Sequence, residues 1–273
     1  MPPTFRLRPG IASDLPHAVR LYDACLGSDK LVALLFPRKE EDPESYKKYL
    51  YRLYAKRYWS VEWTFTFIVK EAGQGVNDNE TEDAIVGFSC WKRPSADVTF
   101  GERWFTLFSW IAPLVRTFIS LQDTLSPLNI DPHAAHAFDR VFPPIEKTLF
   151  ADKNRAEWWY LSTLAVHPSV QGIGLGALLM AEGLTRADEW QRQRLLQLQE
   201  KPSQEGEDDD DDDDDGQQQH RMEGQETKVR GKVWLIGLRG TDAFYSRFGF
   251  VEVGRANVGD LSEWDGGIVM FRE

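Results

Sequence analysis

The chain has 273 residues, of which 42% are hydrophobic and 27% charged, a composition typical of a globular protein that can bury a core. Its formal net charge of −11 argues against nucleic acid as a partner. Thirteen acidic and four basic residues lie between positions 200 and 230, so the rest of the chain carries only −2.

The cysteine content and the start of the chain bear on the compartment. Cys25 and Cys90 match no metal-ligand or redox spacing, so we expect reduced thiols and no metal site. No signal-peptide or transit-peptide composition opens the sequence. We therefore expect a soluble cytoplasmic protein.

The first elements are predicted to be a strand and two helices. Thr4–Pro9 favours a short strand, and Ser13 is a favourable N-cap for a helix through about Leu26. Asp42-Pro43 is predicted to begin a second helix. Proline is favourable at the first helical position, because the N–H that it lacks would have no hydrogen-bond partner within the helix. Its aromatic face predicts mainly core packing and comprises Tyr46, Tyr49, Leu50, Leu53, Tyr54 and Tyr58.

An antiparallel hairpin and a helical insertion follow. Trp63–Lys70 and Ala84–Lys92 alternate as paired strands around a polar turn. Residues 95–157 then form the predicted helical insertion. Its apolar run, Trp104–Arg116, is interrupted by Pro113 and is too short to cross a bilayer, so we expect no membrane partner.

The stretch from Trp158 to Trp190 predicts a strand, a glycine turn and a helix. The strand covers Trp158–Val166, the turn contains Gln171-Gly172-Ile173-Gly174-Leu175-Gly176, and apolar or small residues then recur every three or four positions. Glycines allow a close backbone approach to an anion, and the first helical N–H groups point outward at the positive end of the helix dipole. Gln171 adds a side-chain donor. This order predicts a site for a pyrophosphate or polyphosphate.

The C-terminal part is predicted to hold an acidic loop and the last strands. Eight consecutive aspartates make residues 197–230 too polar to fold, so we expect a disordered loop. Lys232–Leu238, Phe250–Arg255 and Gly267–Arg272 are predicted strands, and Thr241–Phe248 is a short predicted helix. Two strands therefore flank the glycine helix, as a crossover in a mixed sheet requires.

Two common phosphate-binding motifs fit poorly. A P-loop needs Lys followed by Ser or Thr after its glycines, and none is present. A dinucleotide-binding fingerprint needs G-x-G-x-x-G after the first strand and an acidic residue closing the next strand. This turn instead reads G-x-G-x-G past the middle of the chain, and the next strand is followed by Arg239.

The turn resembles the acetyl-CoA-binding motif of the GNAT superfamily of N-acetyltransferases, R/Q-x-x-G-x-G/A, with Gln171, Gly174 and Gly176 at its fixed positions. The segment Ala243–Phe250 is similar to the family's F/L-Y-x-x-x-G-F segment, and the first strand and helix also resemble those of the family. The resemblance implies an α/β (α+β) fold with a mixed, mostly antiparallel central sheet of about seven strands flanked by helices. The resemblance implies one domain, residues 1–273, that contains the helical insertion at 95–157 and the acidic loop at 197–230. We interpret the insertion as a lid over the acceptor site.

The resemblance also implies a reaction and a site. It implies an acetyl-CoA-dependent N-acetyltransferase that moves the acetyl group to the amine of a small-molecule or peptide acceptor by direct attack in a ternary complex. The cofactor-binding residues would be Leu164, Val166, Gln171, Gly172, Ile173, Gly174, Leu175 and Gly176. The two strands on either side of the helix would splay apart to admit the pantetheine arm.

Tyr245 is the predicted catalytic residue, because the matching tyrosine of the family stands near the sulfur of coenzyme A as general acid. Core packing around Phe244 and Phe250 is the alternative role for this residue. Leu238 stands where many members have asparagine, and no general base is evident among five residues considered, Glu62, Asp97, His133, His136 and Glu157. An acyl-CoA-binding module without catalysis therefore stays open as the second hypothesis.

Overall fold

A computed structural model describes residues 4–71, 84–199 and 229–273. In this part of the chain seven strands form one sheet in the order β1-β2-β3-β4-β5-β7-β6. The strands are β1 Phe5–Pro9, β2 Trp63–Lys70, β3 Ala84–Lys92, β4 Trp159–Val166, β5 Val233–Gly237, β6 Val251–Arg255 and β7 Ile268–Arg272. Only the pairing of β4 with β5 is parallel among these strands. The predicted mixed, mostly antiparallel sheet is confirmed.

Helices cover both faces of this sheet. They are α1 Leu15–Leu26, α2 Lys30–Leu35, α3 Pro43–Tyr58, α4 Phe100–Trp104, α5 Leu107–Leu125, α6 Pro132–Ala135, α7 Ala137–Leu149, α8 Leu175–Gln199 and α9 Asp242–Ser246. The α1 and α3 helices pack on one face, against Phe67 and Phe88, and α8 packs on the other, against Trp91 and Leu161. The main core therefore lies between the sheet and the first helices, and a second core lies under α8.

The start of α1 differs from the prediction. Ser13 lies in a 3₁₀ turn, Ala12–Asp14, and does not cap the helix, which begins at Leu15. The Asp14 carboxylate instead accepts the N–H of Ile11 at 2.8 Å and a hydrogen bond from Arg8 at 2.6 Å. Because this buried carboxylate has an arginine partner, it organises the turn more strongly than a serine hydroxyl could.

The α3 helix starts as predicted, with Asp42 as N-cap accepting the N–H of Ser45 at 3.0 Å. Three members of its aromatic and aliphatic face are completely buried: Tyr46, Leu50 and Tyr54 are each at most 1% exposed. The prediction that this face is mainly core is confirmed for these residues.

The α8 helix crosses the sheet very closely and runs further than predicted. A Cβ added to Gly183 would lie 2.2 Å from the indole ring of Trp91, so only glycine allows this approach. The buried Arg272 of β7 donates two hydrogen bonds to Asp188 of α8, at 2.7 and 2.9 Å.

The α8 helix continues to Gln199, so residues 197–199 of the predicted acidic loop are helical. Residues 200–228 lie outside the described residues.

The insertion at 95–157 is helical, as predicted, and its helices lie in two places. The α5 helix packs on the outer side of α3, where Asp123 pairs with Arg52 and Lys56 at 3.0 and 2.6 Å. The α7 helix packs on the sheet, where Phe142 stacks on Trp234 of β5 with ring centroids 5.3 Å apart. The α7 helix therefore covers the face of β5 opposite α8, whereas α5 lies beside α3 and reaches the edge of β2 through Phe108. The lid interpretation stays a prediction.

Candidate functional site

The connection from β4 to α8 exposes its backbone. Gly172 and Gly174 have φ angles of 81° and 93°, which L residues rarely adopt, and a Cβ added at either position would meet no atom within 4 Å. Among the described residues, no acceptor is hydrogen-bonded to the N–H groups of residues 172–177, and the N–H of Leu178 is the first that bonds, to Gly174. The turn therefore presents a row of free N–H groups at the positive end of a 25-residue helix.

Gln171 holds this turn against the end of β4. Its side-chain Nε2 donates to the carbonyl of Val166 at 2.8 Å, so the amide extends back to the strand. The thiol of Cys25, at the end of α1, donates to the same carbonyl at 3.1 Å. Sequence reasoning missed this thiol, because 141 residues separate it from its acceptor. Burial raises the pKa of Cys25 to about 11, so the thiol is protonated and can donate at neutral pH.

The strands β4 and β5 separate next to this turn. They pair only over Trp159–Leu161 and Val233–Leu235, and β5 then continues along β7 to Gly237. The register of β4 against β3 shifts near Cys90, where Leu161 and Thr163 oppose consecutive residues of β3. Beyond Leu161 a gap opens between β4 and β5. This is the splay that the family resemblance implied.

Backbone groups of β4 face this gap. The N–H of His167 bonds to Val86 of β3 at 2.8 Å. Since hydrogen-bonded and non-bonded pairs alternate in an antiparallel ladder, Val166 and Leu164 face away from β3, toward the gap. The Val166 carbonyl already accepts two hydrogen bonds. The backbone groups that remain available for a ligand in the gap are therefore the N–H of Val166 and the N–H and carbonyl of Leu164. These are the two residues predicted to bind the pantetheine arm.

Side chains of α9 line the same gap. Phe244 and Leu164 are the side chains nearest to a Cβ added at Gly176, at 3.6 and 3.8 Å, so the first turn of α8, β4 and α9 meet there. Tyr245 follows Phe244 and belongs to the same apolar cluster as Leu164. The structure thus brings the predicted glycine turn, Leu164 and Tyr245 into one region.

Tyr245 is a partly buried phenol in an apolar environment. Its ring centroid lies 5.1 Å from that of Phe244 and 6.0 Å from that of Phe250. Its ring edge is 3.7 Å from the position of a Cβ on Gly237. Burial raises the pKa of Tyr245 to about 12, so the phenol is protonated at neutral pH and can act as a hydrogen-bond donor.

Residues 140–206 match the model of the Acetyltransferase (GNAT) family. This part of the chain is therefore similar to GNAT acetyltransferases. The matched segment contains β4, the glycine turn and all of α8, which are the elements whose backbone forms the candidate site. The match supports acetyl transfer and binding of coenzyme A in general.

Solved acetyltransferase structures align along nearly the whole chain at low identity. One, described as histone acetyltransferase HPA2 and related acetyltransferase from Corynebacterium glutamicum, is 17% identical, with 100% of this chain and 96% of the other covered and a TM-score of 0.48. The ribosomal-protein-S18-alanine N-acetyltransferase of Escherichia coli is 10% identical, with 98% and 93% covered and a TM-score of 0.41. PaiA N-acetyltransferase of Thermoplasma acidophilum, in complex with coenzyme A, is 9% identical, with 99% of each chain covered and a TM-score of 0.39. No curated protein matches the sequence.

The five candidate general bases lie in other parts of the chain, and each has a polar or charged partner. Glu157 precedes β4, at the end of the strand away from the turn, where it pairs with Arg194 and Lys232 at 2.8 and 3.0 Å. Burial opposes ionisation of Glu157, but these two cations lower its pKa. Asp97 pairs with Arg93, Glu62 with Lys92 and His136 with Asp139, and the Nδ1 of His133 lies 3.2 Å from the Arg140 guanidinium. None of these contacts places a base beside Leu164 or Tyr245.

A polar cluster on the other face of β4 was not predicted. Arg57 of α3 donates to the hydroxyl of Ser162 at 2.9 Å, and the hydroxyls of Tyr54 and Thr163 lie 3.2 Å apart. Both strand residues face α3, because Ser162 is the extra residue of the β4 bulge. The bulge depends on the pairing of β3 with β4, so the sequence of β4 alone contains no signal for it.

A cavity of about 510 Å³ lies away from the turn, between the edge of β1 and β2 and the middle of α8. Its charged residues are already paired, Glu182 with Arg186 at 2.9 Å and Arg8 with Asp14 at 2.6 Å. We therefore place the candidate site at the splayed strands. In the described part of the chain, no three His, Cys, Asp or Glu residues are arranged to hold a metal ion.

Proposed function

We propose that the chain is an acetyl-CoA-dependent N-acetyltransferase that transfers the acetyl group to the amine of a small-molecule acceptor by direct attack in a ternary complex. The observation that carries the proposal is the gap between β4 and β5, which ends at a turn with a row of free N–H groups. A thioester cofactor with a long polar arm and a pyrophosphate fits that combination. We also propose that residues 1–273 form one such domain, with the insertion at 95–157.

The cofactor would be bound almost entirely by the backbone. Residues 171–176 would surround the pyrophosphate, with N–H groups donating to its oxygens and the α8 dipole favouring its charge. The open space above Gly172 and Gly174 supports this role, because a side chain there would occupy the position of the phosphates. Leu164 and Val166 would hydrogen-bond the pantetheine arm in the gap.

Tyr245 would stabilise the leaving thiolate. Its raised pKa, about 12, keeps the proton on the phenol, so its main contribution would be a hydrogen bond to the sulfur as charge develops there. The apolar surroundings strengthen that hydrogen bond, since little solvent competes for it. The acetyl thioester supplies the electrophilic carbonyl, and the acceptor supplies a neutral amine.

The acceptor is expected to reach the carbonyl without a dedicated base from the five residues considered, since all of them have other partners. An amine that is partly neutral at the working pH can attack directly and lose its proton to water afterwards. Turnover should then rise with pH according to the pKa of the acceptor amine.

Two measurements on the purified chain test the proposal. Calorimetry should show binding of acetyl-CoA, and a thiol-release assay with a panel of small amines and short peptides should show coenzyme A release with at least one of them. Absence of acetyl-CoA binding would contradict the proposal. Binding without release for any amine would favour the second hypothesis, an acyl-CoA-binding module, which the pairing of all five base candidates also supports.

A further inference from the structure

The helices α4 and α5 expose a continuous row of large apolar side chains, which we call the apolar ridge. Its members are between 50% and 76% exposed and are Phe100, Trp104, Phe105, Trp110, Leu114, Phe118, Leu121 and Leu125. The opposite side of α5 is buried through Ala112 and Ile119. The helix is therefore apolar on both sides. Eight large apolar side chains that are each at least half exposed indicate an interaction surface, since soluble monomers rarely expose large contiguous apolar patches.

The unpaired charge next to the apolar ridge is positive. Its two nearby acids are already in ion pairs, Glu102 with Arg93 at 3.1 Å and Asp123 with two cations of α3. Arg103, next to Trp104 on α4, is exposed and forms no ion pair with any residue that the structure describes. Arg116 is also exposed, but it lies about 200° around α5 from Leu114 and from Phe118, on the side opposite the apolar ridge. The apolar ridge therefore favours a negatively charged partner.

A groove lined by positively charged side chains adjoins the C-terminal end of α5. This groove of about 490 Å³ lies between α1, α3 and α5, with Gln122 and Ser126 of α5 on one side, and no acidic side chain lines it. We call it the basic groove. Its cations are Arg20, Lys47, Lys48 and Arg52. Arg20 and Lys48 form no ion pair within 4 Å of a described carboxylate, although hydrogen bonds from Ser45 and, to a smaller extent, the charge of Lys48 lower the pKa of Asp42. Arg52 and Lys47 contact Asp123 and Glu44 beside the groove.

We propose that the apolar ridge and the basic groove together bind the surface of an anionic lipid bilayer. The side chains of the apolar ridge would enter the boundary between headgroups and acyl chains, and the cations of the basic groove would meet the anionic headgroups. The α5 helix would lie in the plane of the interface. Within the described ranges, no helix has the length and hydropathy needed to cross a bilayer.

This proposal revises the expectation of no membrane partner. That expectation depended on the length of the apolar run between its charges, which tests for a spanning segment only. In the structure Pro113 lies inside a continuous helix of 19 residues, and the apolar side chains outside α3 form one surface.

A second copy of the chain is the main alternative occupant, since Leu114, Phe118, Leu121 and Leu125 have the spacing of a helix-pairing stripe. The charges favour the bilayer over this alternative. Two apolar ridges facing each other would supply no free acid to balance Arg103 of either copy or the cations of the basic groove, because Glu102 and Asp123 are already in ion pairs.

The test is sedimentation of the full chain with vesicles of phosphatidylcholine, with and without phosphatidylserine. The wild type should bind the vesicles that contain phosphatidylserine more strongly. Leu114→Glu with Phe118→Glu should weaken binding at least about tenfold, because two charges replace side chains that enter the lipid. The matched control is Val251→Glu with Val253→Glu on β6, where both valines are also exposed. It should bind as the wild type does.

The charge contribution is tested separately. Arg20→Gln with Lys48→Gln should weaken binding to phosphatidylserine vesicles about 25-fold and leave binding to pure phosphatidylcholine unchanged, because each surface cation contributes a factor of about five. The melting temperature of each variant shows whether it is folded. The proposal is overturned if the wild type does not sediment with anionic vesicles, or if the Glu pair changes only the oligomeric state, which would identify a second copy as the occupant.

Discussion

The glycine turn before α8 and the apolar ridge of α5 both expose groups that folded proteins usually cover. The turn exposes backbone N–H groups without acceptors, and the apolar ridge exposes large apolar side chains. Each exposure indicates a missing partner, and the chemistry of the exposed groups indicates its type. Donors at a helix N-terminus favour a compact anion, whereas an apolar helix with unpaired cations favours an extended anionic surface with an apolar interior.

The two regions also differ in how many substitutions are needed to remove their function. The turn depends on φ angles of 81° and 93° at two glycines, so one substitution should remove its function. The apolar ridge distributes its exposed area over eight side chains of α4, α5 and the residues between them, so several changes are needed to remove it. The following predictions test this difference, starting with the largest effect.

The largest effect is expected for Gly174→Asp. A carboxylate at this position would repel the pyrophosphate, and its Cβ would occupy the space above the turn, so acetyl-CoA binding should fall below detection. Calorimetry measures this. Gly174→Ala is the matched control: it has the same Cβ and the same strain, about 1–2 kcal/mol, without the charge, so acetyl-CoA binding should weaken but stay detectable. Unchanged affinity in the Asp variant would end the phosphate-binding interpretation.

Tyr245→Phe should lower kcat about 100-fold and leave acetyl-CoA affinity unchanged. The variant keeps the ring and its packing with Phe244 and Phe250 but removes the donor to the thiolate. Steady-state kinetics and a melting curve of the same preparation separate the two roles. Wild-type turnover would assign Tyr245 to core packing alone.

The stability of the core should fall at alkaline pH. Burial raises the pKa of Cys90 from 9.0 to about 12, and those of Tyr22 and Tyr245 from 10.0 to about 12. Below pH 9 these groups are neutral in both states and full stability is present. Between about pH 9 and 12 the unfolded chain ionises first, so stability is lost as pH rises. A melting temperature that stays constant from pH 8 to pH 11 in reducing buffer would contradict these shifts.

Gln171→Ala should have a smaller effect, centred on the turn. It removes the hydrogen bond from Nε2 to the Val166 carbonyl, and one such bond contributes about 0.5–1.5 kcal/mol. We expect acetyl-CoA affinity to fall two- to tenfold, because the turn is held less firmly. Cys25→Ala, which removes the other donor to the same carbonyl, should have a similar effect. A loss as large as that of Gly174→Asp would mean that Gln171 contacts the cofactor directly.

The smallest effect on catalysis is expected from the apolar ridge. Leu114→Glu with Phe118→Glu should leave turnover with a soluble amine and the melting temperature unchanged, because these side chains are 72% and 60% exposed. The thiol-release assay without lipid measures this. A large loss of turnover would mean that the two regions are coupled.

The sequence predicted the elements that depend only on residues close together in the chain. The hairpin of β2 and β3 follows from alternation around a polar turn, and the structure has the strands at the predicted bounds. The sequence β4, turn and α8 was also predicted, because glycines, a proline and helical periodicity all act within a few residues. The short α2 was not predicted, since its six residues contain less than two turns of pattern and it depends on Asp29 as its cap.

The sequence by itself determined that the chain has a GNAT-like order of elements and a glycine turn suited to a phosphate, because backbone conformation at glycine is a local property. Only the tertiary structure decided the end of the β4–β5 pairing, the engagement of the Val166 carbonyl by Cys25 and Gln171, and the exposed side of α5. These features depend on contacts between residues distant in the chain. Apolar periodicity identifies the sides of a helix, but only its packed neighbours determine which side faces solvent.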